Sequence, residues 1–430
     1  MMETGLSFSH ISGFTLLGTA IIAGFYVGHL ARRVNLPSLI GYMIFGVILG
    51  PSILNILDVP MLEGLSFLTE MALGFVAVNI GLELSISSLK RLGTGIVSII
   101  LAESFMAFLV VFSAIYLLTR NLPLSIILGA IAPASAPAGT VAVIQECRAK
   151  GSMTKALYAV VGFDDGLAII IFGLAFAVAK NFMIGEASDT TEVLSALLRP
   201  MMLTGLSVLL GGIIGLLFFR MVLRLQIPAE ILIIAFGAVF LATGLSIRWH
   251  LSLILTNMVV GFVLANRHHA ALVPRVEASL AEIMPLMFIL FFCLAGAHLK
   301  ISALPALGSL GCVYILGRSA GKIGGAGLGA LFGRVEKKIK KYLGFGILSQ
   351  AGVAIGLSLI VKQEFTRLAI QHNLPQAEKI GVTVITTITA TSIFFELIGP
   401  ILTRFALKRA GEIPSEDGWS GISVPKDEKR

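Results

Sequence analysis

The chain has 430 residues, of which 56% are hydrophobic and only 13% charged, with a mean hydropathy of +0.94. Those values exclude a soluble globular protein and imply a membrane protein that crosses the bilayer many times. A formal net charge of +8 points to no nucleic-acid partner, because the basic residues sit in short clusters between apolar runs, the pattern of membrane orientation.

In chain order, apolar runs predict helical spans near residues 12–30, 36–54, 65–84, 94–118, 123–145, 155–179, 201–222, 229–247, 251–266, 281–299, 305–332, 342–361 and 381–406. At about 20 apolar residues per crossing these make about thirteen spans, the 251–266 run being short. No Lys or Arg precedes the first run and Arg32 and Arg33 follow it, the wrong polarity for a cleaved signal, so it is expected to stay as a span. With the N-terminus outside, the clusters Arg32/Arg33, Lys90/Arg91, Arg148/Lys150/Lys155, Arg220/Arg224, Arg267/Arg275 and Arg334/Lys337/Lys338/Lys340/Lys341 all fall on the cytoplasmic side with the C-terminal tail. The other side holds scattered cations such as Arg120, Lys180 and Lys300, so the asymmetry predicts N-outside and C-inside. The polar stretch 410–430 reads as a short disordered cytoplasmic tail, too small for a nucleotide site, and no cofactor is expected. Cys147, Cys293 and Cys312 fit neither a disulfide framework nor zinc spacing and are expected to pack.

With the loop charges assigned, ionisable groups at membrane depth stand out, since each is costly unless paired or lining a wet cavity. "GFDDG" places Asp164 and Asp165 inside an apolar run. Asp164 follows Lys155 by nine residues, or roughly 13 Å of helix, and Lys322 precedes Arg334 by twelve, or roughly 18 Å, so the two reach similar depth. Adjacent aspartates point about 100° apart, so one can pair with Lys322 while the other faces the pathway. Arg318 lies one turn from Lys322 on the same face; it is a second cation for a carboxylate, a cation of the outer vestibule, or a residue of helix packing and loop capping. Two acids against one lysine leave negative charge for a proton or a cation to neutralise. Burial and a nearby cation shift a carboxylate's proton affinity in opposite senses, so such a site can titrate near neutral pH.

The fifth span, "LPLSIILGAIAPASAPAGTVAVIQE", has Pro133, Pro137 and Gly139 at its centre and is expected to break there. The freed carbonyls and helix ends, with the hydroxyls of Ser135 and Thr140, are tolerable only where they line a cavity. The twelfth span carries Gln350 and Gly352 in the corresponding place, without proline. A seven-span offset inverts the orientation, which is the pattern of an inverted repeat with two crossed discontinuous helices.

These residues resemble the monovalent cation/proton antiporters, and within them the antiporter-2 branch with paired aspartates. "VNLPSLIGYMIFGVILGPSILNIL" is similar to the family's second span, and "LTEMALGFVAVNIGLELSISSLKR", with Glu70 and Gly81-Leu82-Glu83, to its third. "GFDDG" resembles the paired-aspartate motif and "GRSAGKIGGAGLGALFG" the lysine-bearing span opposite. The resemblance implies Asp165 as the main cation- and proton-binding carboxylate, Asp164 as the partner of Lys322, and Ser135 as the hydroxyl of the broken helix. It implies a transmembrane antiporter domain over 1–409, with core helices about 94–179 and 305–406 moving against scaffold and dimer helices about 12–84 and 201–299, in a homodimer. "APASAPAGT" departs from the Thr-rich break common in the family, which leaves ion choice open.

The function expected is secondary active exchange of Na+ or Li+, with K+ less favoured, for protons, by competition for the buried aspartates, in a bacterial inner membrane. If Lys322 or Asp164 also releases a proton, two protons exchange for one cation and a unit charge crosses, worth ~2.3 kcal/mol per 100 mV; with one titrating group exchange is electroneutral. The rivals are a sodium-coupled organic-solute symporter and an intramembrane aspartyl protease. The protease fits badly, since it needs carboxylates facing each other across a substrate.

Overall fold

The computed structural model describes residues 13–34, 36–84, 86, 93–184, 190–267, 272–299, 308–333 and 335–414. The expected orientation markers Lys90, Arg91, Lys300 and Arg334, and the tail beyond 414, lie outside the described residues.

Among the described residues the chain forms sixteen helices and no strand. Apolar composition demands this, because an α-helix satisfies its backbone hydrogen bonds within one segment when no water is at hand. In order they are α1 (Gly13–Arg33), α2 (Ser38–Leu49), α3 (Val59–Gly64), α4 (Ser66–Glu83), α5 (Thr94–Thr119), α6 (Leu122–Ile131), α7 (Pro137–Glu146) and α8 (Ser152–Ile184). The second half holds α9 (Thr190–Val222), α10 (Pro228–Arg248), α11 (Leu253–Ala265), α12 (Leu272–His298), α13 (Gly308–Phe332), α14 (Lys337–Gly346), α15 (Gly352–Gln371) and α16 (Pro375–Arg409). Eight of these (α1, α4, α5, α8, α9, α10, α12 and α16) are long and apolar enough to cross a membrane unaided. Among the described residues, the other five of the thirteen expected spans correspond to the short α2 and α11, to α13 with its two buried cations, and to two broken helices.

The first broken helix is α6 and α7. Its α6 begins where Asn121 Oδ1 accepts the Leu124 N–H at 3.0 Å and ends at Ile131; residues 132–136 are unwound, and Pro137 restarts the helix where its missing N–H costs nothing. The second is α14 and α15, unwound over residues 347–351 without any proline. The two unwound stretches cross, and the Ala136 N–H donates to the Ser349 carbonyl at 2.9 Å.

Glycines on α13 bring its backbone against α5. A Cβ at Gly321 would meet Ala107 Cα at 2.7 Å, and one at Gly325 would meet Glu103 Cα at 2.6 Å. Residues four apart share a helix face, so these two glycines clear the way for close contact, the small-residue packing of membrane helices. Lys322, next to Gly321, is thereby carried to the centre of the fold. Around it α5, α6, α8, α13, α15 and α16 bury a common apolar cluster that includes Ala107, Ile131, Ala168, Tyr314, Leu348 and Phe395. Large apolar side chains such as Leu316, Phe332 and Ile370 lie exposed on the outer surface, where lipid would cover them. Cys147 and Cys293 are buried, whereas Cys312 is exposed and does not pack as expected.

Candidate ion-binding site

Four elements meet where the broken helices cross: the unwound 132–136 and 347–351 stretches, α8 with the paired aspartates, and α13 with the two cations. Lys322 is fully buried. Its Nζ donates to Asp164 Oδ2 at 2.7 Å and to Ser135 Oγ at 2.5 Å. The Ser135 hydroxyl in turn donates to the Ile347 carbonyl at 3.0 Å, joining the first break to the second.

Asp164 and Asp165 diverge as neighbouring helix positions must. Asp164 faces Lys322 and is fully buried, while Asp165 is half-buried and turned away. Both Asp165 carboxylate oxygens are shielded from solvent and make no hydrogen bond, with the backbone amide of Ser135 approaching them. A carboxylate held in that state lacks the partners that make burial tolerable, so it is suited to take a proton or a bare cation.

Arg318 is also fully buried but touches no carboxylate. Its Nε donates to the Ala132 carbonyl at 2.9 Å, Nη1 to Leu348 at 2.6 Å, and Nη2 to Ala134 at 2.8 Å and Ser349 at 3.4 Å. Its guanidinium stacks 4.4 Å from the centre of the Phe395 ring. Of the alternatives open for Arg318, the geometry therefore matches loop capping: a planar five-donor fork spans both unwound strands and meets the carbonyls that the breaks set free. Thr140 Oγ1 is engaged too, donating to the Gly346 carbonyl at 2.9 Å, and Gln350 Nε2 donates to the Tyr314 hydroxyl at 3.0 Å. Pro133 and Pro137 lie in and at the end of the first break and contribute geometry, not ligands.

One site residue was not anticipated. Glu103, fully buried on α5, brings Oε2 to 3.0 Å from Lys322 Nζ. Its Oε1 accepts the Ser104 hydroxyl at 2.9 Å, and that hydroxyl lies 3.4 Å from Asp164 Oδ1. The centre thus holds three carboxylates against Lys322, not two. A signal existed: Glu103 lies nine residues beyond the start of α5, roughly 13 Å deep by helical rise, as deep as Asp164 was reckoned to be. Glu396 on α16 is another acid within an apolar run, and its Oε2 is buried without a hydrogen-bond partner.

Two adjoining cavities of about 660 and 940 Å³ lie at the α7–α8 end of the core, sharing Glu83, Gln145 and Arg148 in their walls. Arg32, Tyr42, Glu146 and Glu277 also line the first, and Lys150, Lys155 and Tyr158 the second. The walls of these two cavities include neither aspartate. Asp165 lies seven residues, roughly 10 Å of helix, beyond Tyr158 on the same face of α8.

At that same end Glu412, just past α16, accepts the Met153 N–H at 2.9 Å, the Thr154 N–H and hydroxyl each at 2.7 Å, and the Lys338 ammonium at 2.8 Å. Burial pushes its carboxyl up, but these donors outweigh burial and hold it below the usual carboxylate range. It caps the helix that carries the aspartates and ties it to α14.

The transmembrane sodium/hydrogen exchanger family matches residues 17–403, nearly the whole of the described chain. The chain belongs to this family. It is therefore a multi-pass membrane transporter that exchanges a cation for protons, and not an enzyme, which removes the protease reading. Solved structures of the sodium proton antiporter MjNhaP1 from Methanocaldococcus jannaschii share the fold. One, determined at pH 8, gives a TM-score of 0.65 at 19% identity, covering 93% of this exchanger and 98% of that chain. The other, from electron microscopy, gives 0.72 at 19% identity, covering 96% and 99%. No curated protein sequence matches the exchanger.

Proposed function

We propose that the protein exchanges Na+ or Li+, with K+ the weaker candidate, for protons, and that both compete for one site centred on Asp165 with Asp164 beside it. The observation that carries this reading is the pair of buried Asp165 oxygens without a hydrogen bond, next to the Asp164–Lys322 ion pair where two broken helices cross. A cation there would be held by the carboxylates and by oxygens of the unwound backbone, with Ser135 and Thr140 nearby; a proton on Asp165 removes the charge that holds it. Occupancy by one excludes the other, and exclusion is all that coupling requires.

Alternating access follows if the core helices, about 94–179 and 305–406, move as a body against the scaffold helices, about 12–84 and 201–299, of a homodimer. The bias of basic residues toward one side supports an N-terminus outside, and on that reading the two cavities open at the cytoplasmic end. The paired aspartates and Lys322 support a reading of the chain as a member of the antiporter-2 branch, with a bacterial inner membrane as the expected setting.

In proteoliposomes loaded with a pH-sensitive dye, external Na+ is expected to drive proton movement, and Asp165→Asn to abolish it while the protein still folds and purifies as wild type. Proton movement that persists in Asp165→Asn would refute the proposal.

A further inference from the structure

The Lys322 ammonium sits between two carboxylates on different helices, 2.7 Å from Asp164 Oδ2 on α8 and 3.0 Å from Glu103 Oε2 on α5, and all three side chains are wholly buried. The two acids are not equivalent. Asp164 adjoins Asp165 and the unwound 132–136 stretch, where a transported cation would be bound. Glu103 is carried by α5, the helix that Gly321 and Gly325 hold at backbone contact, and its Oε1 accepts the Ser104 hydroxyl at 2.9 Å.

We propose that Glu103 is a positioning residue of the exchange site: it gives the Lys322 ammonium a second anchor, so that a monovalent cation arriving at Asp164 shifts Lys322 on to Glu103 and does not strand it. This rests on the exchange reading above. The physical reason is the cost of a lone buried charge. If Asp164 were the ammonium's only anionic partner, each cation that bound would leave an unpaired ammonium in the membrane interior, and breaking a buried pair is far more costly than never forming it. With Glu103 at 3.0 Å the ammonium needs to move only within its present contacts. The braced carboxylate is already in place, so little reorganisation accompanies the change. Glu103 need not touch the cation; it acts through Lys322, and that separates it from a third ligand.

The test is the apparent KM for Na+ of dye-coupled exchange in wild type, Glu103→Gln, Glu103→Asp, Lys322→Gln and the double variant Glu103→Gln/Lys322→Gln. Glu103→Gln is expected to raise KM roughly tenfold, equivalent to about 1.4 kcal/mol, with a much smaller change in maximal rate. Glu103→Asp should recover most of the affinity. In the Lys322→Gln background the Glu103 substitution should have little further effect, the signature of a residue acting through its partner. Na+-dependent thermal stabilisation of the purified protein gives the same comparison for a variant too slow to assay. An unchanged KM in Glu103→Gln, or a KM effect that persists undiminished without Lys322, would overturn this inference alone. A wild-type protein that neither moves protons nor is stabilised by Na+ would overturn the exchange reading as well.

Discussion

Replacing Arg318 with alanine removes the donors to four carbonyls at the crossing. Ser349 keeps the bond from the Ala136 N–H at 2.9 Å, so three acceptors, on Ala132, Ala134 and Leu348, lose a partner that now lies within 2.9 Å. An unpaired buried acceptor costs about 1–3 kcal/mol, which for three amounts to about 3–9 kcal/mol, before the lost stacking on Phe395 is counted. That is a large share of the ~5–15 kcal/mol that typically separates folded from unfolded protein. Arg318→Ala is therefore expected to lower the melting temperature of the detergent-solubilised protein severely, read as loss of the size-exclusion peak after heating. Arg318→Lys should fall between, because a single nitrogen keeps the charge but cannot reach both unwound strands. An Arg318→Ala protein that melts with the wild type would refute the idea that this arginine holds the crossing together.

Gly325→Ala puts a Cβ at 2.6 Å from both Ala102 O and Glu103 Cα, so α13 must retreat from α5; a loss of about 1–3 kcal/mol in thermal stability and reduced exchange are expected, while Gly324→Ala, with nothing within 4 Å, should leave both intact. Glu412→Gln should cost about 1–3 kcal/mol of stability through its weakened charge-assisted bonds. Because the folded Glu412 carboxyl lies below its ordinary value, its contribution is present above the unfolded value and is lost as pH falls through the folded one, so wild-type and Glu412→Gln melting curves should converge on the acid side. Curves that stay parallel down through the acid range would show that these bonds do not depend on the carboxylate's charge.

Much of the fold was legible because lipid imposes so few options. Apolar runs mark the spans, and Pro133 and Pro137 mark the first break with a known steric cause. The second break has no comparable local signal; Ile347 to Ala351 unwind because the first break, Arg318 and Ser135 supply partners for their carbonyls, which is a tertiary cause. Depth along a helix also follows from residue number, so Asp164 and Lys322 could be matched before any contact was known. Direction around the helix axis relative to a neighbour could not, which is why Arg318 stayed ambiguous and why Glu103, at the right depth on α5, went unconnected to Lys322. The alternation of glycines at 317, 321, 325 and 329 does announce a close neighbour for α13, but not which helix it is.

The claim on which the account depends is that a cation and a proton cannot occupy the Asp165 site together. Its most direct test is the Na+ affinity of the purified protein, measured by calorimetry over a series of pH values, with proton release obtained from buffers of different ionisation enthalpy. The account predicts affinity that weakens about tenfold per pH unit on the acid side, at least one proton released per Na+ bound there, and loss of both in Asp165→Asn. Na+ binding of constant affinity across the series, with no proton released, would contradict it.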